Sequence, residues 1–361
     1  MSTIPQTHEA VGLTAKGEPL SSFQVSTPKP GPEEVLVKVE WTAGTSVTVW
    51  ILDFKVIDPG YPFVVGENVV GEVVAVGEGV DEVKVGDRVV SFSFSDGVAG
   101  KASQEYAILS KWSIGKLPSN ITPQEGATIP DNLVTAYYSL FDRLGLPVPT
   151  SLPSSTPPQD ADTPIVIWAA SGSVGQYATQ LLHLAGYKKI FAVASARHHA
   201  SLRSLGATHT FDYTSANVTD EIRAAAGGPV KLVFDAIGDE AGSLKPISQI
   251  VGEGAKVVFL LPIRVGKPGA VEDLKISTDL PFPKDVEMVP VGGRFYQHNE
   301  QFKRDLQPKI IPDLLARGLV KPNKVREVEG ASLLEKVVTS VDLLRKNAVS
   351  GERLVYRVAK D

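Results

Sequence analysis

The 361-residue sequence contains no cysteine. That one absence removes disulfides, thiolate nucleophiles, iron–sulfur clusters and cysteine-ligated zinc. Long apolar runs are missing as well: none approaches the roughly 20 residues a membrane-spanning helix requires. The N-terminal MSTIPQTHEAVGL lacks a basic stretch followed by an apolar one, so no secretory signal is expected and the chain is read as cytoplasmic. There is no excess of positive charge: 36 Lys and Arg face 41 Asp and Glu, for a net charge of −5. With a pI near 5.8 the chain has no electrostatic footprint for nucleic acid or an anionic membrane. Histidine is scarce, and the six present (His8, His183, His198, His199, His209 and His298) form no HExxH or comparable pair. His198 and His199 are adjacent, and on a helix their side chains would diverge. A metal enzyme is not expected.

What is present is the composition of a folded globular protein, 43% hydrophobic and 21% charged, long enough for two domains. The first 120 or so residues read as short strands. EEVLVKVEW (33–41) alternates apolar and polar residues, and NVVGEVVAVGEGVDEVKVGDRVVSF does the same, with Gly71, Gly77, Gly79 and Gly86 at bends or bulges. Asp87 and Arg88 read as a turn feeding a strand over Val89–Phe92, and the whole suggests a compact antiparallel barrel. Residues 123–143 have helical spacing, interrupted at Pro130. GLPVPTSLPSSTPPQDADTP (145–164) is crowded with Pro and Ser and reads as a surface loop or linker that cannot order itself. From Pro164 to about Pro262 strands (IVIWAA, KIFAVAS, HTFDY, LVFDAIG, AKVVFLLP) alternate with helical stretches, the pattern of a parallel sheet covered on both faces. Two helices and a last strand, ERLVYRV, complete the chain. The expected division is a first domain over 1–150 completed by about 300–361, a Pro/Ser-rich loop over 151–163, and a dinucleotide-binding domain over 164–299.

The stretch VIWAASGSVGQYATQLLHLAG (166–186) carries the chemistry. Small residues between a strand and a helix let the backbone approach an anion, and the helix beginning near Val174 points its free N–H groups and positive dipole end at that anion. Ser171, Gly172, Ser173, Val174 and Gly175 form this loop, with the glycines serving close approach and helix–strand packing and the serines offering hydroxyls. The second strand of a fold that reads the ribose hydroxyls of NAD usually ends in Asp or Glu. Here the sequence reads AVASARHH, with Ser195, Arg197 and His198 and no acid. A guanidinium suits a 2′-phosphate, so NADPH is the expected cofactor.

The motifs GENVVGEVVAVGEGVDEVKVGDRV (66–89), AASGSVG (169–175), LGATHTFDY (205–213), LVFDAIG (232–238) and SGERLVYRV (350–358), in this order, resemble the medium-chain dehydrogenase/reductases. The resemblance covers nearly the whole chain. It implies an α/β protein with a GroES-like β-barrel domain and a Rossmann doubly wound parallel-sheet domain, the nicotinamide lying between them. The positions at which zinc-dependent members hold their active metal fall on Thr45, Glu67 and Asp131, none of them a thiol or an imidazole. The chain is most similar to the zinc-free fungal enoyl reductases that stand beside polyketide synthases, which share the Pro/Ser-rich insertion. It departs from them at TSVT (45–48), where Thr48 replaces a carboxylate.

The resemblance assigns Thr135 to the nicotinamide or its phosphates, Ser171–Gly175 to the pyrophosphate, and Ser195, Arg197 and His198 to the 2′-phosphate. Tyr213 falls at the adenosine end or is a strand-end aromatic. Gly238, Leu260 and Leu261 follow later strands toward the nicotinamide, the two leucines either as core or through backbone groups that serve the carboxamide, and Phe295 closes over it. Polar groups expected at the reacting end are Thr45, Tyr61 and Asp131, with Tyr61 alternatively a turn aromatic and Trp50 either pocket or core. Without a metal, reduction of a C=C conjugated to a carbonyl is the less demanding chemistry, because a few donors stabilise the enolate. The expected substrate is an enone, enal or enoyl thioester, including a carrier-bound polyketide. A quinone oxidoreductase and a non-catalytic NADPH-binding structural protein are the alternatives. The chain is expected to be a monomer or a homodimer, with AKVVFLLP as the strand that would pair across a dimer.

Overall fold

A computed structural model of the chain describes residues 4–55, 59–93, 98–266 and 271–359. It divides into two compact units, Met1–Asp131 with Gln297–Asp361, and Asn132–Tyr296.

The first unit opens with β1 (Thr7–Leu13), β2 (Ser21–Ser26) and β3 (Glu34–Ala43). A short helix α1 (Ser46–Val49) runs on into a wider turn over Trp50–Phe54. Then come β4 (Phe63–Val64), β5 (Asn68–Val76), β6 (Arg88–Phe92), β7 (Tyr106–Ser110) and β8 (Ile114–Lys116). Period-2 alternation places Val35, Val37, Val39, Val69, Val73 and Val89 in one core, each fully buried. The strand β3 bends where it crosses β5, with register slips beside Val37 and at Val39. Gly71 stands opposite that bend: a Cβ there would come within 2.1 Å of the Lys38 carbonyl oxygen, so no larger residue fits. Asp87 closes the expected turn into β6, its carboxylate accepting the Lys84 N–H at 3.0 Å. Helix α2 (Pro123–Ala127) starts at a reciprocal capping box between Thr122 and Glu125, a device contributing about 1 kcal/mol. Pro130 ends that run and opens α3 (Pro130–Tyr138), which passes from the first unit into the second.

The second unit holds β9 (Ile165–Trp168), α4 (Ser173–Leu184), β10 (Ile190–Val193), α5 (His199–Ser204), β11 (His209–Phe211), α6 (Val218–Ala226), β12 (Val230–Asp235), α7 (Lys245–Ile250) and β13 (Val251–Leu260). A hairpin of β14 (Ile263–Val265) and β15 (Asp273–Lys275) follows, then β16 (Glu287–Val291). The sheet order is β11-β10-β9-β12-β13-β16, all parallel. Every residue of β9 and β10 is buried, as strands covered on both faces must be. The order reverses between β9 and β12, and such a switch point opens a crevice at the carboxyl ends of the strands. Two expectations need correction. β13 is internal, flanked by β12 and β16, so AKVVFLLP offers no edge for pairing across a dimer. Segment 145–164 is no linker between domains: both ends lie in the second unit, Leu152 and Ala161 are buried, and backbone bonds Ser154 N–H to Leu184 (2.7 Å) and Lys188 N–H to Ala161 (2.8 Å) fix it. Leu146 is buried as well, and three apolar anchors order a proline-rich segment whose chain entropy is already low.

The chain returns to the first unit with α8 (Glu300–Asp305), α9 (Ile311–Ala316), β17 (Lys324–Glu327), α10 (Leu333–Arg345) and β18 (Glu352–Arg357). There β17-β18-β3-β5-β6-β8 form one sheet, with β7 also on β3, and β2-β1-β4 form another. Leu354 and Tyr356 join the valine core, which α10 covers with Val337 and Val341.

One buried acid sits at the working end of the parallel sheet. Asp235, the last residue of β12, is fully buried and accepts the Ile237 N–H at 3.1 Å and the Ser243 hydroxyl at 2.6 Å. Burial pushes its carboxyl up to about 6, against the opposing pull of those donors. A raised carboxyl pKa means stability that is full below the unfolded value and lost as pH rises through about 6. We predict that Asp235→Asn, which keeps an acceptor for Ile237, flattens this slope. Relative to the wild type it should gain on the order of 2 kcal/mol between pH 4 and pH 8. Denaturant titrations at the two pH values check this, and parallel shifts in both proteins would refute it.

Candidate active site

The glycine loop begins where β9 ends. Ala169 adopts a φ of +58°, and the Gly172 N–H donates to its carbonyl at 2.9 Å, closing a tight turn. The helix α4 starts at Ser173, one residue before the expected start, with Gly172 as an N-cap that has no side chain to offer. Its first turn contains no acid, and the hydroxyls of Ser171 and Ser173 make no hydrogen bond among the described residues. The N–H groups of Ser173, Val174 and Gly175 therefore face outward with only a dipole behind them, an anion seat. Gly175 makes the approach possible: a Cβ there would lie 2.6 Å from both the Ala169 oxygen and the Ala170 Cα. Gly172 is less constrained, its nearest contact being 3.2 Å. The loop fits a dinucleotide pyrophosphate.

The residues expected to take the 2′-phosphate follow the end of β10. The Ser195 hydroxyl lies 3.4 Å from the Tyr213 hydroxyl, and Tyr213, after β11, is 52% exposed. Arg197 donates from Nε to His198 Nε2 at 3.2 Å, which requires an unprotonated imidazole nitrogen. Burial holds the His198 pKa below the usual histidine value, and the positive charges of Arg197 and His199 push the same way. Sequence reasoning missed Asp212 beside this cluster. Its carboxyl is held below the ordinary range, chiefly by the Thr214 N–H and hydroxyl, with the Ala196 N–H adding to them. An acid supplied from β11 rather than β10 left no signal in the expected place.

On the other side of the switch point, Gly238 has φ +62° and its α-carbon packs so closely on β13 that a Cβ would meet the Leu260 carbonyl oxygen at 2.1 Å. Leu261 donates its N–H to the Val291 oxygen at 2.9 Å, so that group is spent within the sheet and cannot serve a carboxamide. Leu261 itself packs against the small cluster of Leu244, Phe259 and Ile263. Thr135 is 9% exposed and abuts Gly293, where a Cβ would lie 2.1 Å from its hydroxyl oxygen. Phe295 is 39% exposed under the Arg294 guanidinium, 4.9 Å from the ring centre.

In the first unit the three polar residues expected at the reacting end have different surroundings. Thr45 is buried, its hydroxyl 3.3 Å from that of Thr48. Tyr61 is half-buried against the valine core, and its phenol makes no hydrogen bond among the described residues. Asp131 pairs with Arg353 at 2.5 Å, both side chains 13% exposed, and its N–H donates to the Asn68 side-chain oxygen at 3.0 Å. Glu67, the neighbour of Asn68, lies 3.6 Å from the ammonium of Lys101, a lysine only 6% exposed. Both carboxylates at positions assigned to metal ligands are thus matched by a cation. Lys101 and Arg353 were invisible to sequence reading, since their partners lie far away in the chain. Among the described residues no three His, Cys, Asp or Glu side chains cluster as metal ligands. Trp50 is half-buried at the start of the wider turn.

Residues 31–122 match the alcohol dehydrogenase GroES-like domain family and residues 173–277 the zinc-binding dehydrogenase family. A trans-enoyl reductase of Aspergillus japonicus is 30% identical over 91% of this chain and 90% of its own length. Another, of Aspergillus flavipes, is 32% identical over 96% of this chain and 98% of its own. The quinone oxidoreductase of Pseudomonas syringae has the same fold, with a TM-score of 0.73 at 20% identity over 97% of this chain and 99% of its own. With a GroES-like unit, a six-stranded parallel sheet and a glycine-bounded anion seat at its switch point, the chain belongs to the medium-chain dehydrogenase/reductase superfamily of nicotinamide-dependent oxidoreductases.

Proposed function

We propose that the protein is an NADPH-dependent reductase that works without a metal and transfers hydride to the C=C of an α,β-unsaturated carbonyl, with enoyl thioesters of secondary metabolism as the substrate class. The observation that carries this reading is the pairing of Glu67 with Lys101 and of Asp131 with Arg353. Carboxylates already neutralised by buried cations are poor ligands for a further dication, because binding it would strand the displaced ammonium or guanidinium. The trans-enoyl reductase relatives support the same class of reaction.

The reduced nicotinamide, when bound, supplies the hydride. The chain's own residues have the remaining tasks. Ser171–Gly175 hold the pyrophosphate on the α4 N-terminus, and Ser195, Arg197, His198 and Tyr213 hold the adenosine end with its 2′-phosphate. Thr135, Gly238 and Phe295 bound the nicotinamide half. Hydride addition at the β-carbon leaves negative charge on the carbonyl oxygen, and a proton must reach the α-carbon. Asp131 is committed to Arg353 and Thr45 lies against Thr48, so Tyr61 is the donor assigned to this proton.

The test is NADPH consumption by chelator-treated protein on a matched panel of enones, enals, enoyl thioesters and quinones. Turnover of quinones alone would replace enoyl reduction by quinone reduction, and nucleotide binding with no turnover would remove the enzymatic reading. Loss of activity with the chelator, restored by zinc, would overturn the metal-free mechanism. Two variants probe the residues. Arg197→Ala should weaken NADPH binding by about tenfold or more, the worth of a charge-assisted hydrogen bond, and leave NADH binding unchanged in fluorescence titrations. Tyr61→Phe should lower kcat by roughly 10- to 100-fold with little change in KM, as loss of a positioned acid does, and an unchanged kcat would reject Tyr61 as the donor.

A further inference from the structure

Arg264 is a cation that the protein itself leaves underused. It sits at the centre of β14, opposite Leu274 of β15, and its backbone N–H donates to the Gly238 carbonyl at 2.6 Å. That bond ties it to the carboxyl end of β12, on the far side of the switch point from Ser195 and Arg197. The preceding residue, Ile263, is fully buried in the small apolar cluster and anchors the strand. The Arg264 side chain is 18% exposed, and its Nε is buried with no acceptor among the described residues. Its charged neighbour is Asp239, at 4.0 Å, beyond hydrogen-bond reach. The other oxygen of Asp239, Oδ1, accepts the Gly242 N–H at 2.7 Å, which fixes the carboxylate at the start of the turn over Glu240–Leu244. A guanidinium whose buried Nε has no acceptor, and which no carboxylate among the described residues reaches within hydrogen-bond distance, is costly to maintain unless a ligand takes up its donors.

The ligand chemistry that fits a planar fork of donors is an oxyanion, and phosphate is among its best partners. Under the function proposed above, on which this inference rests, the phosphates of the cofactor have other seats: the pyrophosphate at α4, the 2′-phosphate at the Arg197 cluster. We propose that Arg264 binds a phosphate borne by the substrate, the phosphodiester of a pantetheine-type arm carrying the enoyl thioester. The other source of the same chemistry is the pyrophosphate of the dinucleotide, and the test separates them.

Wild type, Arg264→Gln and Arg264→Lys are compared on one enoyl group presented as its coenzyme A thioester, which carries phosphates, and as its N-acetylcysteamine thioester, which carries none. Dissociation constants for NADPH and NADH are measured alongside, with thermal unfolding to compare the folded proteins. Arg264→Gln should raise KM for the coenzyme A thioester about tenfold, leave the N-acetylcysteamine thioester within about twofold, and leave both nucleotides unchanged, with Arg264→Lys restoring part of the loss. Equal effects on the two thioesters, or none on either, overturn the proposal. Equal weakening of NADPH and NADH assigns Arg264 to the cofactor and overturns the substrate assignment. Turnover of the N-acetylcysteamine thioester by the wild type tests the reductase itself, independently of Arg264, and its failure removes the proposed function rather than this residue's part in it.

Discussion

The approach of α4 to the end of β9 depends on a hydrogen atom standing where almost every other residue carries a carbon. At Gly175 that carbon would sit 2.6 Å from the backbone of Ala169 and Ala170, well inside van der Waals contact. Only with it absent does the helix begin close enough to the strand for its first N–H groups to converge on one point. The N-cap glycine completes the arrangement, because a serine or aspartate at Gly172 would fold back on those groups and satisfy them internally. Here the helix forgoes a cap that would contribute about 1 kcal/mol, and the uncompensated dipole is available to an anion instead. The placement proposed for the dinucleotide follows from this, with one end at the β10 and β11 loops and the other at the β12 and β13 ends, because the sheet order reverses beside β9.

The other unit solves the opposite problem. Glu67 and Asp131 are acids in a largely buried setting, and each needs positive charge to be tolerable there. A dication shared by three ligands would be one solution; a buried lysine and a buried arginine are another. Desolvation makes such pairs weak contributors to net stability, but removing either partner leaves an uncompensated charge at a cost of several kcal/mol. The pairs therefore fix geometry more than they add stability. The Asp131 N–H on the Asn68 side chain and the Asp131 carboxylate on Arg353 lock the start of α3 to β5 and β18. The lysine loop is held in turn by Gln104, which donates to the Lys101 carbonyl at 2.8 Å and lies 3.2 Å from the buried ring of His8.

Much of this was legible in the sequence wherever the determining contacts are local. The period-2 runs of the first unit, the alternating elements of the second and the glycine loop are written in neighbouring residues, so β5, β6, β9 and α4 fall within a residue or two of where spacing puts them. Pro130 splits the helical stretch at the expected point for the same reason. The partners of Glu67 and Asp131 were not legible, because no periodicity links Asp131 to an arginine 222 residues later. The anchoring of 145–164 was missed because composition averages over a segment, whereas Leu146, Leu152 and Ala161 act singly. The spent N–H of Leu261 was missed because its acceptor, Val291, belongs to a strand reached only after the β14–β15 hairpin.

The end of β10, where the 2′-phosphate is proposed to sit, shows how far a missing acid at one position can be read. A free carboxylate at the end of β10 would accept the two ribose hydroxyls of NAD and repel a phosphate. The fold supplies a carboxylate nearby after all, Asp212, but from β11 and in a different state. The Thr214 N–H and hydroxyl, at 2.9 and 2.8 Å, occupy one oxygen, and the Ala196 amide adds to the donors that hold the group ionised. An acceptor that already holds several donors gains less from a ribose hydroxyl. It still carries charge, yet that charge is spread into the backbone amides that shape the 196–198 turn, while Arg197 and the Ser195 and Tyr213 hydroxyls remain the groups at the surface. On the proposed preference for NADPH, discrimination between the two nucleotides would rest less on whether an acid is present than on whether its lone pairs have already been claimed.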